Sequence, residues 1–223
     1  MEMTADSEGY FETRLADDVR RDVLWRTLWE AWFKARVPDD GCVLDIGAGY
    51  GQFINNVQAR RRFALDIWPG MAHHVDAGVT PLIGDLSALE QLDDASVDFA
   101  FASNLFEHVT QDDFALALSI LDRKLTDRGV LTVLQPNYAY AYREYFDDYT
   151  HISVWSHVSL GDFLDAKGFE VLEARPKFLP LTIKSRLPVS PVLIRAYLMS
   201  PFKPMAKQML FTARPKRSSA PVR

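Results

Sequence analysis

The chain has 223 residues, of which 48% are hydrophobic and 25% are charged. This length and balance predict one α/β domain, residues 1–223, with a full core. The single cysteine, Cys42, excludes an internal disulfide and a multi-cysteine metal site, and the sequence predicts no metal ligands. Because the N-terminus is acidic and no run of about 18 apolar residues occurs, we expect a cytoplasmic protein.

The net charge of −5 is unevenly distributed. From Val171 to Arg223 there are eleven Lys and Arg residues and one acid, Glu173, whereas residues 1–170 hold 14 bases and 29 acids. Such asymmetry favours either an anionic partner near the C-terminal segment or pairing with acidic helices of the same chain. The sequence leaves both open.

The first predicted element is a helix from about Phe11 to Arg36, which makes residues 1–40 an N-terminal helical cover. Apolar residues, three tryptophans among them, recur on one face at Leu24, Trp25, Leu28, Trp29, Trp32 and Phe33. This stripe is typical of a core helix. A lid over a cofactor pocket and a dimer contact are the alternatives.

Strands and helices then alternate. Strands are predicted at 42–46, 63–67, 80–83, 97–102, 129–135, 169–174 and 208–213. Helices are predicted at about 52–59, between the second and third strands, at 114–125, and from Ser159 to Lys167. Alternation of this kind predicts a doubly wound, mostly parallel sheet with helices on both faces.

A glycine-rich turn follows the first strand, in residues 43–53. Asp45 lies near the end of the apolar run, and Gly47, Gly49 and Gly51 come at alternate positions. Glycine allows positive φ and close approach of a ligand, and a strand, glycine turn and helix N-terminus together bind nucleotides. A carboxylate here would repel a pyrophosphate, but it suits an ammonium or sulfonium group.

The acid and this glycine spacing resemble the first motif of class I S-adenosylmethionine-dependent methyltransferases. The resemblance covers roughly residues 40–175 and, more loosely, the last strand. It implies a Rossmann-like, seven-stranded sheet in which the antiparallel last strand lies beside the sixth. It also implies an enzyme that takes a methyl group from S-adenosyl-L-methionine and releases S-adenosyl-L-homocysteine.

The same resemblance implies the donor-binding residues. Asp45 and the backbone of Gly47 and Gly49 would hold the methionine part. Asp66, about 20 residues beyond the glycines, would accept hydrogen bonds from the two ribose hydroxyls. A purely structural strand-end cap is the alternative for Asp66.

The resemblance also implies which residues contact the adenine ring and the methyl group of the donor. They follow the second, third and fourth strands. Ile67 and Trp68 would pack against the adenine ring. Asp85 would accept a hydrogen bond from its exocyclic amine, and Leu86 would add a backbone amide, although Gly-Asp is also a plain turn signal. Asn104 would lie beside the transferred methyl group.

Two histidines are the predicted catalytic residues, as acceptors of a proton from the methyl acceptor. His151 lies in an aromatic substrate loop, residues 136–157, which holds five tyrosines and two histidines. Aromatic faces suit sugar rings and enclosed cations. His108 follows Glu107 after the fourth strand. Structural hydrogen bonds and helix capping are the alternatives. Arg14, in the N-terminal helix, is a candidate for binding the methionine carboxylate of the donor.

Residues 179–207 form a basic, apolar insertion between the last two strands. The segment holds five prolines, and a helix is predicted at 192–199. Such a segment is typical of contact with lipid or an amphipathic substrate, and a lid or a dimer surface is the alternative. We therefore expect a small-molecule, sugar or lipid-linked acceptor, methylated at oxygen, with peripheral contact at the inner membrane face as an option.

Two other functions are left open. A nicotinamide-dependent oxidoreductase also places an acid after the second strand, but it requires Gly-x-Gly-x-x-Gly, and Gly51 comes one place early. A non-catalytic methyltransferase-like scaffold has no need of Asp45, Asp66 and Asp85 together. Nucleic acid is disfavoured as a partner, because the basic residues 214–217 read as a solvated terminus.

Overall fold

Strands and helices alternate along residues 19–181 and 190–217, the parts that this computed structural model describes. The strands are β1 (Cys42–Ile46), β2 (Arg61–Asp66), β3 (Thr80–Ile83), β4 (Val97–Ser103), β5 (Leu125–Pro136), β6 (Phe169–Pro180) and β7 (Ala206–Pro215). The α-helices are α1 (Val19–Leu28), α2 (Gln111–Lys124), α3 (Tyr138–Ala141), α4 (His157–Ala166) and α5 (Pro191–Met199). Arg14 and the insertion residues 182–189 lie outside the described residues.

The sheet has the order β3-β2-β1-β4-β5-β7-β6. The first five strands pair in parallel, whereas β7 is antiparallel to both β5 and β6. The fold predicted from the sequence is therefore confirmed. The chain reverses its direction of winding between β1 and β4, and ligands of such sheets bind outside the carboxyl ends of the strands at that point.

β1 is buried on both faces, as a central parallel strand must be. Its successive side chains enter opposite cores: Val43 packs with the core that contains Phe53 and Phe101, and Leu44 with the core that contains Leu121. Cys42 is a buried free thiol, as predicted, and burial raises its pKa.

The tryptophan stripe belongs to the core. After α1 the chain continues as a π-helical turn, Trp29–Phe33, and a 3-10 turn, Lys34–Arg36. Phe33 is buried against Phe53 and Phe101, with ring centroids 5.3 and 5.1 Å away. The helix thus anchors the segment that follows the glycine turn. The first part of its predicted range, up to residue 18, lies outside the described residues.

One predicted helix does not form, and two others start earlier than predicted, α2 at Gln111 and α4 at His157. Instead of a helix at 52–59, only a 3-10 turn forms, Ile54–Asn56, because the Asn55 side chain bonds to the carbonyl of His74 and the amide of Asp76. Asparagine side chains compete with helical bonding in this way. The cap of α4 is Ser156 rather than Ser159, and the two serines form a reciprocal capping box.

The last two strands are longer than predicted and form an antiparallel ladder. β6 runs on to Pro180, and β7 starts at Ala206. Several basic residues of this C-terminal part pair with acids of the same chain: Lys207 with Glu144, Arg214 with Glu170, and Lys216 with Asp165. Acids of the same chain therefore pair with part of the basic charge of the C-terminal segment. Among the described residues, every helix is too short or too polar to cross a bilayer.

Candidate functional site

The glycine turn lies at the carboxyl edge of the sheet, directly after β1. Gly47, Gly49 and Gly51 have φ values of 73°, 52° and 68°, which glycine adopts without strain. Space is also restricted at the first of them, because a Cβ on Gly47 would lie 3.0 Å from the side chain of Leu105. The turn therefore packs directly against the segment that follows β4.

Four backbone amides of this turn are already bonded within the protein. Gly47 and Ala48 both donate to the carbonyl of Leu65, at 2.8 and 3.0 Å, and Gly51 donates to Ala48. Gly49 donates to Oδ2 of Asp66 at 2.8 Å. A pyrophosphate site needs unbonded amides. The arrangement instead suits a ligand that bears positive charge.

Two buried acids lie behind the turn. Asp45 is 3% exposed, and the amide of Ile54 donates to its carboxyl group. Asp66 is also buried and accepts hydrogen bonds from Gly49 and, at 2.9 Å, from Trp68. Burial raises the pKa of both, and burial together with the nearby Asp66 raises the pKa of Asp45 to about 8. A cation bound here would stabilise the ionised forms of both acids.

Aromatic rings gather beside the end of β2. Trp68 stacks with His74 at 5.3 Å between centroids, and Tyr50 of the glycine turn lies 5.1 Å from Trp68. Ile67 is partly exposed next to them. The sequence predicted Ile67 and Trp68 but missed Tyr50 and His74. Tyr50 and His74 also line a cavity of about 200 Å³.

Asp85 and Leu86 follow β3 at the same edge. The Asp85 side chain caps a 3-10 turn: its Oδ1 accepts from the amide and the hydroxyl of Ser87, at 2.9 and 2.6 Å, and these bonds lower its pKa. Leu86 is buried. The amide of Gly84 donates to the carbonyl of Asp66 at 3.0 Å, which ties the ends of β3 and β2 together.

Asn104 follows β4 and has a left-handed backbone, with φ of 49°. Three contacts hold it. Its amide donates to Leu134 at 2.8 Å, its Nδ2 donates to Ser103 at 3.0 Å, and its Oδ1 accepts from Gln208 of β7 at 3.1 Å. Backbone strain held by surrounding structure is a recurrent feature of functional sites. Gln208 was not predicted, because nothing in the sequence links two residues so far apart.

A family model described as a methyltransferase domain matches residues 19–174. The chain belongs to this methyltransferase family. The match confirms the resemblance drawn from the glycine turn and, with it, the class of enzyme. No curated protein matches the chain.

Solved methyltransferase structures share the fold. A SAM-dependent methyltransferase from Archaeoglobus fulgidus is 19% identical with a TM-score of 0.66, over 93% of this chain and 98% of that one. One from Mesorhizobium loti is 18% identical with a TM-score of 0.60, over 84% and 97%. One from Thermotoga maritima is 22% identical with a TM-score of 0.60, over 95% of each chain. At these identities the likeness shows the fold alone.

In this methyltransferase the two predicted catalytic histidines lie together. The rings of His108 and His151 have centroids 4.7 Å apart, and Nε2 of His108 lies 3.9 Å from Oε1 of Glu107. Burial lowers the pKa of His108 to about 4 and raises that of Glu107 to about 8. His108 is therefore neutral at neutral pH. The sequence did not predict that Glu107 would join the two histidines.

The aromatic segment 136–157 divides into two parts. Tyr145 and Trp155 are buried, and the Tyr145 hydroxyl donates to the carbonyl of Ser153 at 2.8 Å. Tyr142 and Tyr149 are exposed, the latter at 74%. The buried rings support the loop, while the exposed rings are available to a ligand.

A larger cavity, of about 530 Å³, adjoins the smaller one. Its lining includes Arg26 and Trp29 of the N-terminal helical segment and Arg62 near the start of β2, and Asn55 and Asn56 line both cavities. The two cavities are therefore neighbours, and the larger one reaches toward the amino end of β2.

Asp45→Asn is expected to stabilise the ligand-free protein. The unfolded carboxyl group ionises near pH 4, whereas the folded one keeps its proton up to about pH 8. Unfolding between these values releases a proton, so the wild type loses stability as pH rises. We expect Asp45→Asn to be about 2 kcal/mol more stable at pH 8, with a smaller difference at pH 5, by urea unfolding. The prediction would be contradicted if wild type and Asp45→Asn had the same free energy of unfolding at pH 5 and also at pH 8.

Asn104→Gly is expected to be more stable than Asn104→Ala. Both variants lose the side-chain bonds, but only alanine pays about 1 kcal/mol for a Cβ in the left-handed region. Urea unfolding measures the difference. Ala115→Gly is the control. Position 115 lies within α2, so there the alanine of the wild type is expected to be more stable than glycine. An alanine variant as stable as the glycine variant would show that position 104 is not strained.

Proposed function

We propose that this methyltransferase transfers the methyl group of S-adenosyl-L-methionine to an oxygen of a small-molecule, sugar or lipid-linked acceptor. The observation that carries the proposal is the pair of buried acids, Asp45 and Asp66, behind a turn whose glycine amides are bonded internally. Such a site favours a sulfonium and an ammonium group over a phosphate. The donor is the one named for the solved structures of the same fold.

The donor would lie along the carboxyl edge of the sheet. Asp45 and the carbonyl groups of Gly47 and Gly49 would face its methionine part. Asp66 already accepts backbone hydrogen bonds from Gly49, Trp68 and Ile67, and because a carboxylate has about four acceptor sites, acceptor capacity remains for the ribose hydroxyls.

The adenine ring would lie beside the aromatic residues at the end of β2. Ile67 and Trp68 would pack against the ring, with Tyr50 behind Trp68. The Oδ2 atom of Asp85, which does not bond Ser87, would accept a hydrogen bond from the exocyclic amine of adenine. The backbone amide of Leu86 would donate to the same ring.

Methyl transfer is an in-line displacement. The acceptor oxygen forms a bond to the methyl carbon while the carbon–sulfur bond breaks, and the donor leaves as a neutral thioether. Most of the rate comes from holding the two reacting atoms about 3 Å apart and in line. Asn104, fixed by β5 and β7, would lie beside the methyl group. His151 and His108 are the residues proposed to assist removal of the proton from the acceptor hydroxyl.

An amphipathic or lipid-linked acceptor is supported by the surface around α5. Apolar side chains are exposed on this helix and just after it, namely Val192, Leu193, Met199, Phe202 and Met205. Met199 is 85% and Phe202 is 75% exposed. Arg195 of the same helix is also exposed, and apolar side chains next to a basic one suit an anionic lipid surface. We therefore propose peripheral membrane contact at this surface.

Asp66→Asn is expected to weaken binding of S-adenosyl-L-homocysteine at least tenfold, because hydrogen bonds to a charged group contribute about 1.5–3 kcal/mol. Isothermal titration calorimetry measures the affinity. Asp98→Asn is the matched control, since Asp98 also accepts a backbone amide, from Cys42, but at the amino edge of the sheet. Wild-type protein that ignored this ligand, or unchanged affinity in Asp66→Asn, would refute the proposed function.

Co-sedimentation with vesicles tests the membrane contact. At low salt, wild-type protein is expected to sediment with phosphatidylglycerol–phosphatidylcholine vesicles, and Met199→Ser/Phe202→Ser to stay largely in the supernatant, since each removes exposed apolar area. Leu172→Ser, which also changes an exposed apolar residue but on β6, is expected to bind like the wild type. Wild-type protein that remains in the supernatant would exclude the contact.

A further inference from the structure

Glu107, His108 and His151 form a compact cluster that no step of donor binding uses. Glu107 and His108 follow β4, and His151 comes from the aromatic segment. The two parts are joined through the backbone, because the carbonyl of Glu107 accepts the amides of Ile152 and Ser153, at 2.9 and 3.1 Å. The side chains therefore meet through a fixed backbone connection.

Glu107 is 0% exposed, and neither of its carboxyl oxygens receives a hydrogen bond from another residue of the described chain. Burial of a carboxyl group without a partner costs several kcal/mol in general. Native proteins almost always satisfy such groups. A partner from outside the chain would remove this cost.

The orientation of His108 is set by a chain of hydrogen bonds. Its Nδ1 lies 2.8 Å from Oγ1 and 3.3 Å from the carbonyl oxygen of Thr150, and Thr150 donates its hydroxyl to Asp148 at 2.6 Å. Since the carbonyl can only accept, Nδ1 carries the hydrogen. Nε2 then bears the lone pair and faces Glu107 at 3.9 Å. Support of a histidine through its other ring nitrogen is typical of metal ligands.

We propose that Glu107, His108 and His151 bind a divalent transition-metal ion of the Zn²⁺ type. One ligand atom from each residue lies within 4.8 Å of the others. An ion with bonds of about 2 Å holds its ligands about 3–4 Å apart, so side-chain movements of about an ångström complete the set. Two imidazoles and one carboxylate suit Zn²⁺ and its neighbours rather than Mg²⁺, and they leave coordination positions open.

The ion has a defined use if the proposed function holds, and this part of the inference rests on it. An acceptor hydroxyl that binds the ion loses its proton to water more readily, because the metal stabilises the alkoxide. The alkoxide oxygen then forms the bond to the methyl carbon as the carbon–sulfur bond breaks. In this arrangement the histidines act as ligands, not as direct proton acceptors.

Co²⁺ is the probe for the site, because its visible absorption reports coordination by protein ligands. Chelator-treated full-length protein is titrated with Co²⁺ and followed by absorbance and calorimetry. We expect one Co²⁺ per chain for the wild type and for His73→Gln, a control at an exposed histidine outside the cluster. Glu107→Gln and His151→Gln are expected to bind at least tenfold more weakly, as is typical when a ligand is lost.

Wild-type protein without stoichiometric Co²⁺ binding would overturn the proposal, as would equal affinity in Glu107→Gln. Circular dichroism checks that each variant is folded. Should Glu107→Gln fail to fold, His151→Gln and the wild-type titration still decide. Titration of the metal-free protein with S-adenosyl-L-homocysteine separates the two proposals, since the donor site contains none of these three residues.

Discussion

The hydrogen bond from the Gly49 amide to the Asp66 carboxylate organises this site. It fastens the glycine turn to Asp66 at the end of β2. The amides of Gly47 and Ala48 fasten the turn to the preceding residue of β2, since both donate to the carbonyl of Leu65. A turn of this shape would bind an anion if its amides pointed outward. Because they are bonded inward to the neighbouring strand, the surface left to a ligand is electronegative.

This arrangement has a cost in stability. Asp45 and Asp66 are both buried, which raises the pKa of each, and the nearby Asp66 raises that of Asp45 further, while a single backbone hydrogen bond from Ile54 compensates Asp45. The protein can hold them there because β1 is buried on both faces between two apolar cores. A cationic ligand would lower this electrostatic energy. Functional sites that are unfavourable until occupied are a common trade-off between activity and stability.

Much of the fold and part of the site could be predicted from local sequence. Thr80–Ile83 and Cys42–Ile46 form strands at the predicted residues, because short apolar runs between turn signals are unambiguous there. The failed helix near Asn55 shows the limit, since side-chain bonds to His74 and Asp76 depend on tertiary contacts. Asp45 and the glycines of the turn could be predicted as binding residues because they lie together within a few positions of the sequence.

The remaining parts of the site depend on residues far apart in sequence. His108 meets Thr150 across 42 positions, and Gln208 meets Asn104 across 104. No periodicity or spacing carries that information, because it arises only when the sheet is assembled. Individual histidines could be named from the sequence, but not the cluster that they form with Glu107.

The position of β7 has a consequence for biosynthesis. This strand is the last of the seven in chain order, yet it occupies an interior place between β5 and β6. While a ribosome is still translating the preceding residues, β5 has an unsatisfied edge and Asn104 lacks its partner Gln208. The carboxyl edge of the sheet is therefore complete only after β7 has been made, and a nascent chain halted before residue 206 would retain an unpaired edge of β5 that can pair with the wrong strand.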